Sequence, residues 1–377
     1  MAMPPSHDPP VSAFTKKHVF AGIVATLSMI FVLLLLAEGV VRVRQWWLYG
    51  SLFQLEDVKA RQDIGGLDTP KPGYETRSIR INSLGFRGPE LVVPKPAGTL
   101  RLAFLGGSTT FCAEVSSNEA VWAHRVWHDL QQRYPNIRID YVNAGVTAFT
   151  TMHSLGIYKQ QVAQLQPDVV FIYHATNDMT YEVYSLAESQ GLVSRPRPTS
   201  WLGRYSLLWF LVEKNYQIRV IQANKKHIES LPDDFSQSFA INLTQLIQEV
   251  KQRVDLVAVI TWSQQMRQGH TKDVNRRAAA SAQFYMPSLA PEQILQGYAR
   301  YNGVIRRVAR ETGSVLIADE DRIPGDPVHF NDSVHFTDAG SRVMAQRVID
   351  GLLADPRWHE FVKRFADRHP VPVNTAP

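Results

Sequence analysis

Short apolar segments alternate with longer helical patterns along most of the chain beyond residue 100. Five of these segments have the length and composition of buried strands: residues 101–107, 137–145, 168–178, 255–262 and 314–319. Between them, as in residues 118–135, apolar side chains recur at helical spacing. Parallel strands need a crossover of this kind, so the alternation predicts an α/β domain with a mostly parallel five-stranded sheet.

Polar residues follow these strands at the end where parallel sheets bind ligands. Ser108 comes directly after the first strand, Gly145 closes the second, and Asn177 follows the third. Asp332 and His335 follow the fifth strand, just before the last long helical segment. When the five strands form one sheet, we expect all of these residues to converge on a single edge.

The chemistry of these residues is complementary. Attack by the Ser108 hydroxyl needs a base, which His335 can supply, and Asp332 can fix the tautomer of the imidazole. The backbone N–H groups of Ser108 and Gly145 and the side-chain amide of Asn177 can stabilise a tetrahedral oxyanion. The pattern therefore predicts Ser108, His335 and Asp332 as a catalytic triad, and an oxyanion hole formed by Ser108, Gly145 and Asn177.

Each residue also has a purely structural interpretation when it is taken alone. Ser108 can stabilise a turn or a helix start, and Asp332 can cap the helix that follows it. A second Asp-x-x-His pair, Asp326 and His329, directly precedes Asp332 and His335. We prefer the later pair because it runs directly into a helix, and the joint occurrence of the residues favours catalysis.

Four motifs in this order carry a resemblance to a known family. They are G-G-S at residues 106–108, N-A-G at 143–145, N-D at 177–178 and D-x-x-H at 332–335. Over roughly residues 75–355 the chain resembles the SGNH (GDSL-type) hydrolases, and N-S-L-G-F-R-G at 82–88 is similar to their membrane-anchored or secreted bacterial branch. The resemblance implies a flavodoxin-like three-layer α/β/α fold and ester hydrolysis or acyl transfer without a metal or organic cofactor.

The sequence departs from the family pattern at three positions. Gly107 replaces the acidic residue that usually precedes the serine, and Ala175 stands where a glycine usually lies two residues before the asparagine. Ala148 stands where the second motif often has another glycine. These changes leave the predicted donors in place, and we expect them to alter the width of the pocket.

A long apolar segment precedes the α/β region. Residues 19–37 contain no charged side chain, and this is about the length needed to cross the roughly 30 Å hydrocarbon core of a bilayer. Trp46 and Trp47 follow, where aromatic side chains favour the membrane interface, and Glu38 and Arg42 are spaced to pair on one helix face. A buried core helix is the alternative, but the isolated position of the segment favours an uncleaved membrane anchor.

The predicted organisation has five parts: a cytoplasmic tail over residues 1–18, a transmembrane anchor over 19–41, a juxtamembrane lead-in over 42–95, a catalytic domain over 96–360 and a C-terminal tail over 361–377. Residues 179–234 interrupt the alternation as a cap-like insertion. Its aromatic stretch 201–222 buries core area, forms a wall of the substrate pocket or contacts the bilayer. Basic residues flank the anchor almost equally, so the short N-terminal tail decides the orientation and places the domain in the periplasm or outside the cell.

Composition argues against several other functions. The formal charge is +5, but no dense run of Lys and Arg with interleaved aromatic residues occurs, so nucleic-acid binding is not expected. Cys112 is the single cysteine, which excludes an intramolecular disulfide and a thiol-rich metal site. His174 and His329 lie near the predicted site without the tight ligand spacing of a zinc site, so no metal is expected.

The leading hypothesis is a membrane-anchored serine esterase that removes O-acetyl or similar short acyl groups, with a cell-surface polysaccharide as the substrate. An O-acyltransferase is the second hypothesis, because a sugar hydroxyl can attack the same acyl-Ser108 intermediate in place of water. The third is a glycan-binding or assembly protein that retains an inactive hydrolase fold. The intact set of Ser108, Asn177, Asp332 and His335 argues against this last hypothesis.

Overall fold

The computed structural model describes residues 16–49, 61–192, 200–223 and 227–369. Its strands, in chain order, are β1 (Arg61–Ile64), β2 (Leu67–Pro70), β3 (Thr99–Gly106), β4 (Arg138–Gly145), β5 (Val169–Tyr173), β6 (Leu256–Ile260) and β7 (Val315–Ile317). Its helices are α1 (Lys16–Tyr49), α2 (Ser108–Phe111), α3 (Trp122–Arg133), α4 (Thr151–Gln160), α5 (Thr176–Ser189), α6 (Trp201–Tyr205), α7 (Leu207–Ala223), α8 (Gln237–Lys251), α9 (Lys272–Ala278), α10 (Ala280–Tyr285), α11 (Pro291–Glu311), α12 (Asp338–Leu353) and α13 (Pro356–Arg368). Most of the predicted N-terminal tail and the end of the predicted C-terminal tail lie outside the described residues.

Strands β3 to β7 form one parallel sheet in the order β4–β3–β5–β6–β7, which confirms the predicted α/β class and five-stranded sheet. β3, β5 and β6 are buried along their whole length, as their continuous apolar sequences predict. The rings of Phe104 and Phe171, on adjacent strands, stack with their centroids 4.8 Å apart. β1 and β2 form a separate antiparallel hairpin in the predicted lead-in.

The order of the strands reverses at β3. The crossover through α3 places β4 on one side of β3, and the crossover through α4 returns past β3 to β5 on its other side. Because parallel crossovers are right-handed, α3 and α4 lie on opposite faces of the sheet. α12 packs against α3, while α8 packs against α4 and α11. A layer of helices therefore covers each face, and the ligand crevice of such a sheet opens at the carboxyl end of β3.

Two predicted boundaries fall inside helices of the domain. In α5, Met179 and Val183 are buried in the main core, so the first residues of the predicted insertion 179–234 belong to a core helix. In α13, Phe361 and Phe365 are buried in the same core, so the domain extends past the predicted boundary at residue 360. Their four-residue spacing places these two rings on one helix face, which requires a packed neighbour.

The predicted lead-in is attached to the domain through a buried arginine. Arg87, from the N-S-L-G-F-R-G segment, is 1% exposed. Its guanidinium donates to the carbonyl oxygens of Ser78 at 2.8 Å and of Phe111 at 2.9 Å. It also donates to the carbonyl oxygen of Cys112 and to Asn118 Oδ1. Arg87 therefore fixes the backbone at the end of α2.

The long helix α1 carries the predicted transmembrane segment. Its stretch His18–Trp47 is long and apolar enough to cross a membrane, and its most apolar part is not buried against the rest of the described chain. Glu38 and Arg42 form the expected ion pair, with 2.7 Å between Glu38 Oε1 and Arg42 Nε. Glu38 also accepts from the backbone N–H groups of Leu207 at 2.9 Å and Leu208 at 2.8 Å. These polar contacts join α1 to the start of α7.

We expect Arg87→Ala to destabilise the protein by about 3 kcal/mol or more, because several buried acceptors lose their charged donor. The measurement is the midpoint of thermal unfolding of the full chain in detergent micelles. Arg80→Ala is the matched control, since the Arg80 side chain is 64% exposed and its loss should cost less than about 0.5 kcal/mol. Equal changes of the midpoint in the two variants would show that Arg87 does not hold the lead-in.

Candidate active site

Three strands end at one level of the sheet, beside the reversal of strand order. Gly106, the last residue of β3, pairs with Gly145 of β4 on one side and with Tyr173 of β5 on the other. Ser108 begins α2 just beyond this level. In the described part of the chain, the backbone N–H of Ser108 has no hydrogen-bond partner, as is usual in the first turn of a helix. This N–H group can therefore donate to a ligand.

His335 reaches Ser108 from the loop that joins β7 to α12. Its Nε2 lies 2.8 Å from Ser108 Oγ, and its Nδ1 lies 2.8 Å from Asp332 Oδ2. The other oxygen of Asp332 accepts from the backbone N–H groups of Val334 and His335, each at 2.9 Å. The loop therefore fixes the carboxylate against the imidazole, and the three side chains form one hydrogen-bonded chain.

The charges around the imidazole shift its titration. Burial alone lowers the pKa of a histidine, but the carboxylates of Glu114 and Asp332 outweigh burial and raise the pKa of His335 to about 9. Burial alone raises the pKa of Asp332, but the hydrogen bonds from His335 and from the backbone outweigh it and lower this pKa. The two groups therefore form an ion pair at neutral pH.

Glu114 is a residue of this site that sequence reasoning misses. It lies on the loop after α2, its side chain is 18% exposed, and its Oε1 lies 4.0 Å from His335 Nδ1. Its Oε2 is buried and has no hydrogen-bond partner among the described residues. Burial raises the pKa of Glu114. No motif or periodicity marks this position, because its approach to His335 depends on how two distant loops meet.

Asn177 stands at the start of α5 and approaches the turn that carries Ser108. Its Nδ2 donates to the carbonyl oxygen of Phe149 at 2.8 Å, which leaves the second hydrogen of the amide for a ligand. The next residue, Asp178, accepts from the hydroxyl of Thr151 at 2.6 Å and from its backbone N–H at 3.2 Å. Burial raises the pKa of Asp178 to about 6. These bonds fix the start of α5 against the loop that follows β4.

Gly107 allows the close approach of Asn177. This is the position where the family resemblance leads one to expect an acidic residue. A Cβ atom on Gly107 would lie 2.7 Å from Asn177 Nδ2 and 3.2 Å from the carbonyl oxygen of Phe149. Real Cβ atoms do not come this close to their neighbours, so any side chain here requires the amide to shift. Glycine at position 107, in place of the acidic residue of the family pattern, therefore leaves room for the amide of Asn177.

Gly145 has a structural role that differs from its predicted one. Its N–H donates to Asn143 Oδ1 at 3.0 Å, so the hydrogen assigned to the oxyanion is already engaged. A Cβ atom on Gly145 would lie 2.5 Å from the backbone nitrogen of Phe111, so glycine lets β4 approach α2.

Three positions after Gly145, Ala148 has a φ of 65°, in the left-handed region that favours glycine. Among the described residues, its N–H has no partner.

The other histidines near the site have different partners. His329 Nδ1 lies 2.8 Å from Asp326 Oδ1, so the earlier Asp-x-x-His pair also forms, but the histidine that reaches Ser108 is His335. His174 is 3% exposed and lies in the core. Within residues 16–369, where the structure describes them, no group of His, Cys, Asp and Glu side chains has the arrangement of a metal site.

Comparison with models of protein families assigns the chain to one family. A family model described as the GDSL-like Lipase/Acylhydrolase family matches residues 104–343, a range that includes Ser108, Asp332 and His335. The chain belongs to this family. The resemblance stated from the sequence motifs is thereby confirmed, and the membership identifies the chain as an esterase. The comparison with individual curated proteins gave no match.

Two solved structures show a distant likeness to this GDSL-type esterase. Axe2, an acetylxylan esterase from Geobacillus stearothermophilus, is 16% identical with a TM-score of 0.43, over 68% of this chain and 95% of that chain. LAE5, an alpha/beta hydrolase enzyme from the metagenome of Lake Arreo, Spain, is 15% identical with a TM-score of 0.41, over 67% of this chain and 94% of that chain.

Proposed function

We propose that this GDSL-type esterase is a membrane-anchored serine esterase with Ser108 as nucleophile, His335 as general base and Asp332 as the carboxylate that orients it. The observation that carries the proposal is the chain from Ser108 Oγ to His335 Nε2, and from His335 Nδ1 to Asp332 Oδ2, with 2.8 Å at each step. This chain supplies a proton acceptor for the hydroxyl and fixes the tautomer of the base. The substrate we propose is an O-acetyl or similar short acyl ester of a cell-surface glycan, because the anchor would hold the domain near that surface.

Ester cleavage takes two steps in this proposal. Neutral His335 takes the hydroxyl proton as Ser108 Oγ bonds to the ester carbonyl carbon, and the tetrahedral intermediate collapses when the alcohol leaves with that proton. A water molecule then attacks the acyl carbon and gives a proton to His335, which returns it to Ser108 Oγ as the carboxylic acid leaves. Asp332 stays ionised and stabilises the imidazolium in both steps, in keeping with its lowered pKa.

The oxyanion forms beside three N–H donors in this proposal. The backbone N–H of Ser108 and the second amide hydrogen of Asn177 keep the roles predicted from the sequence. Gly145 does not, because its N–H is already engaged. We assign the third donor to Ala148, whose N–H has no partner among the described residues and whose neighbour Phe149 accepts from Asn177. Each such donor contributes about 2.7–4 kcal/mol to lowering the barrier.

Replacement of the triad residues tests the mechanism. We expect Ser108→Ala and His335→Ala to lower kcat for nitrophenyl acetate at least about 10³-fold, and to stop acetate release from an O-acetylated polysaccharide. His329→Ala is the matched control, because His329 forms the same kind of pair with Asp326; it should keep the rate of the wild type. An unchanged rate in Ser108→Ala, or an equal loss in His329→Ala, would overturn the proposed triad.

Gly107→Ala tests the position of Asn177. The added Cβ would displace the amide, and we expect kcat for nitrophenyl acetate to fall about 10- to 100-fold, approaching the loss of one oxyanion donor. Gly303→Ala is the control, since a Cβ on this helical glycine meets no atom within 4 Å. It should leave kcat unchanged. A Gly107→Ala enzyme with the kcat of the wild type would remove Asn177 from the proposed oxyanion hole.

The exposed apolar surface of α1 supports the anchor in this proposal. The large apolar side chains from Phe20 to Leu36 are exposed, and a helix of a water-soluble domain rarely presents so large an apolar surface to water. Trp46 and Trp47, also exposed, follow at the level where aromatic side chains favour the membrane interface. With the short tail retained in the cytoplasm, the esterase domain lies in the periplasm or outside the cell.

The aromatic helices α6 and α7 lie beside this anchor. The backbone N–H groups of Leu207 and Leu208 donate to Glu38, at 2.9 and 2.8 Å. Arg42 donates to the carbonyl oxygen of Tyr205 at 2.9 Å. Exposed aromatic side chains continue from this junction: Trp201, Tyr205, Trp209 and Tyr216. Of the three roles left open for this stretch, the contacts favour an interaction with the bilayer surface alongside the anchor.

Charges placed in the anchor test the membrane assignment. We expect the double variant Leu33→Lys with Leu34→Lys to leave the membrane fraction, because each lysine at the centre of a span costs about 2.5–3.5 kcal/mol. The measurement is the share of the full chain that remains in the membrane pellet after alkaline carbonate extraction. Val92→Lys with Val328→Lys, at two exposed positions outside the anchor, is the control and should stay in the pellet. Retention of the anchor variant would contradict a spanning helix.

A further inference from the structure

Two carboxylates flank the same nitrogen of His335. Asp332 Oδ2 lies 2.8 Å from Nδ1 and accepts its hydrogen bond, whereas Glu114 Oε1 lies 4.0 Å from it. A distance of 4.0 Å is too long for a hydrogen bond. A triad requires only one carboxylate at this nitrogen, and Asp332 already fills that place. An ionised Glu114 can therefore act on the imidazole through its charge and not through a hydrogen bond.

The carboxyl group of Glu114 lies in an enclosed place. Its Oε2 is buried without a hydrogen-bond partner among the described residues, an arrangement that costs free energy. The ionisable groups that act on Glu114 are His335 and Asp332 on the β7–α12 loop and Arg87 on the lead-in. Two further groups belong to the same surroundings: Cys112 after α2 interacts with Glu114, and Tyr298 on α11 interacts with Asp332. Arg87 is engaged by backbone carbonyls, and burial keeps the thiol and the phenol neutral by raising the pKa of each.

We propose that Glu114 is a positioning residue of the esterase, whose charge determines how alkaline the solution must be before His335 is neutral and can accept the proton of Ser108. The inference rests on the proposed triad. It also goes beyond it, because the triad alone assigns no function to Glu114. The geometry that supports it is the enclosed carboxylate facing the nitrogen that Asp332 already binds.

The sign of the effect follows from the charges. Only the neutral imidazole is a base, so kcat/KM rises with pH through the pKa of His335. Burial lowers this pKa, but the carboxylates of Glu114 and Asp332 outweigh burial and hold it at about 9. Without the charge of Glu114 the imidazolium is less stabilised, and its pKa falls. The rise in activity then moves to lower pH. Unit charges about 4 Å apart can shift a pKa by roughly one pH unit or more.

The test is the pH dependence of kcat/KM for nitrophenyl acetate, measured on the full chain in detergent micelles. We expect the midpoint of the rise to move down by about one pH unit in Glu114→Gln, and Glu114→Asp, which keeps the charge, to stay closer to the wild type. Glu119→Gln removes the same charge from a nearby side chain that is 60% exposed, and should leave the midpoint in place. An unmoved midpoint in Glu114→Gln, or an equal shift in Glu119→Gln, would overturn the inference.

A direct titration of His335 separates this inference from the proposed triad. Nuclear magnetic resonance of the histidine-labelled chain, with His335→Gln to assign the signal, should give a pKa well above the ordinary value of about 6.5. The value should fall in Glu114→Gln. An ordinary pKa in the wild type would overturn the inference even when the Glu114 variants do not fold. Because this measurement needs no activity, a failure of the inference can be distinguished from a failure of the triad.

Discussion

The common level at which β3, β4 and β5 end is the constraint on which the site depends. Gly106 pairs with both Gly145 and Tyr173, so the segments that follow these strands emerge side by side, about 4.8 Å from strand to strand. A slip of one residue would turn a strand over and move its end away from the others. Glycine completes the arrangement: the absence of a Cβ on Gly145 and on Gly107 lets β4 and Asn177 approach the turn that carries Ser108.

The sequence predicts much of this arrangement because the residues concerned lie in the segments that follow strands. Buried strands are recognisable as apolar runs, and their carboxyl ends must share one edge of a parallel sheet. Ser108 and Asn177 stand just past such an end, while the pair of Asp332 and His335 lies on the loop between β7 and α12, and each carries a group whose chemistry is recognisable locally. The contact between Ser108 and His335 then follows from topology, and it joins residues more than 200 positions apart.

What the sequence does not predict depends on contacts that no local pattern records. Whether the N–H of Gly145 can meet a ligand is decided by Asn143, whose side chain occupies it. Glu114 looks like any polar loop residue until the loop after α2 meets the loop of His335. Arg87 reads as part of a turn-rich lead-in, and only the folded chain shows that the carbonyls at the end of α2 are its acceptors. Each of these roles is a property of pairs of distant segments.

The two carboxylates near the His335 imidazole together have two opposing effects on its action as a base. In the proposed triad they strengthen the hold on a proton that His335 takes from Ser108, so the neutral imidazole is a more effective acceptor. They also reduce the fraction of molecules in which the imidazole is neutral, and this fraction falls tenfold for each pH unit below the pKa. A lone Asp332 would provide orientation with less of this loss. The site thus combines an orienting carboxylate in hydrogen-bond contact with a second one at 4.0 Å, so that geometry is set by the first and proton affinity by both.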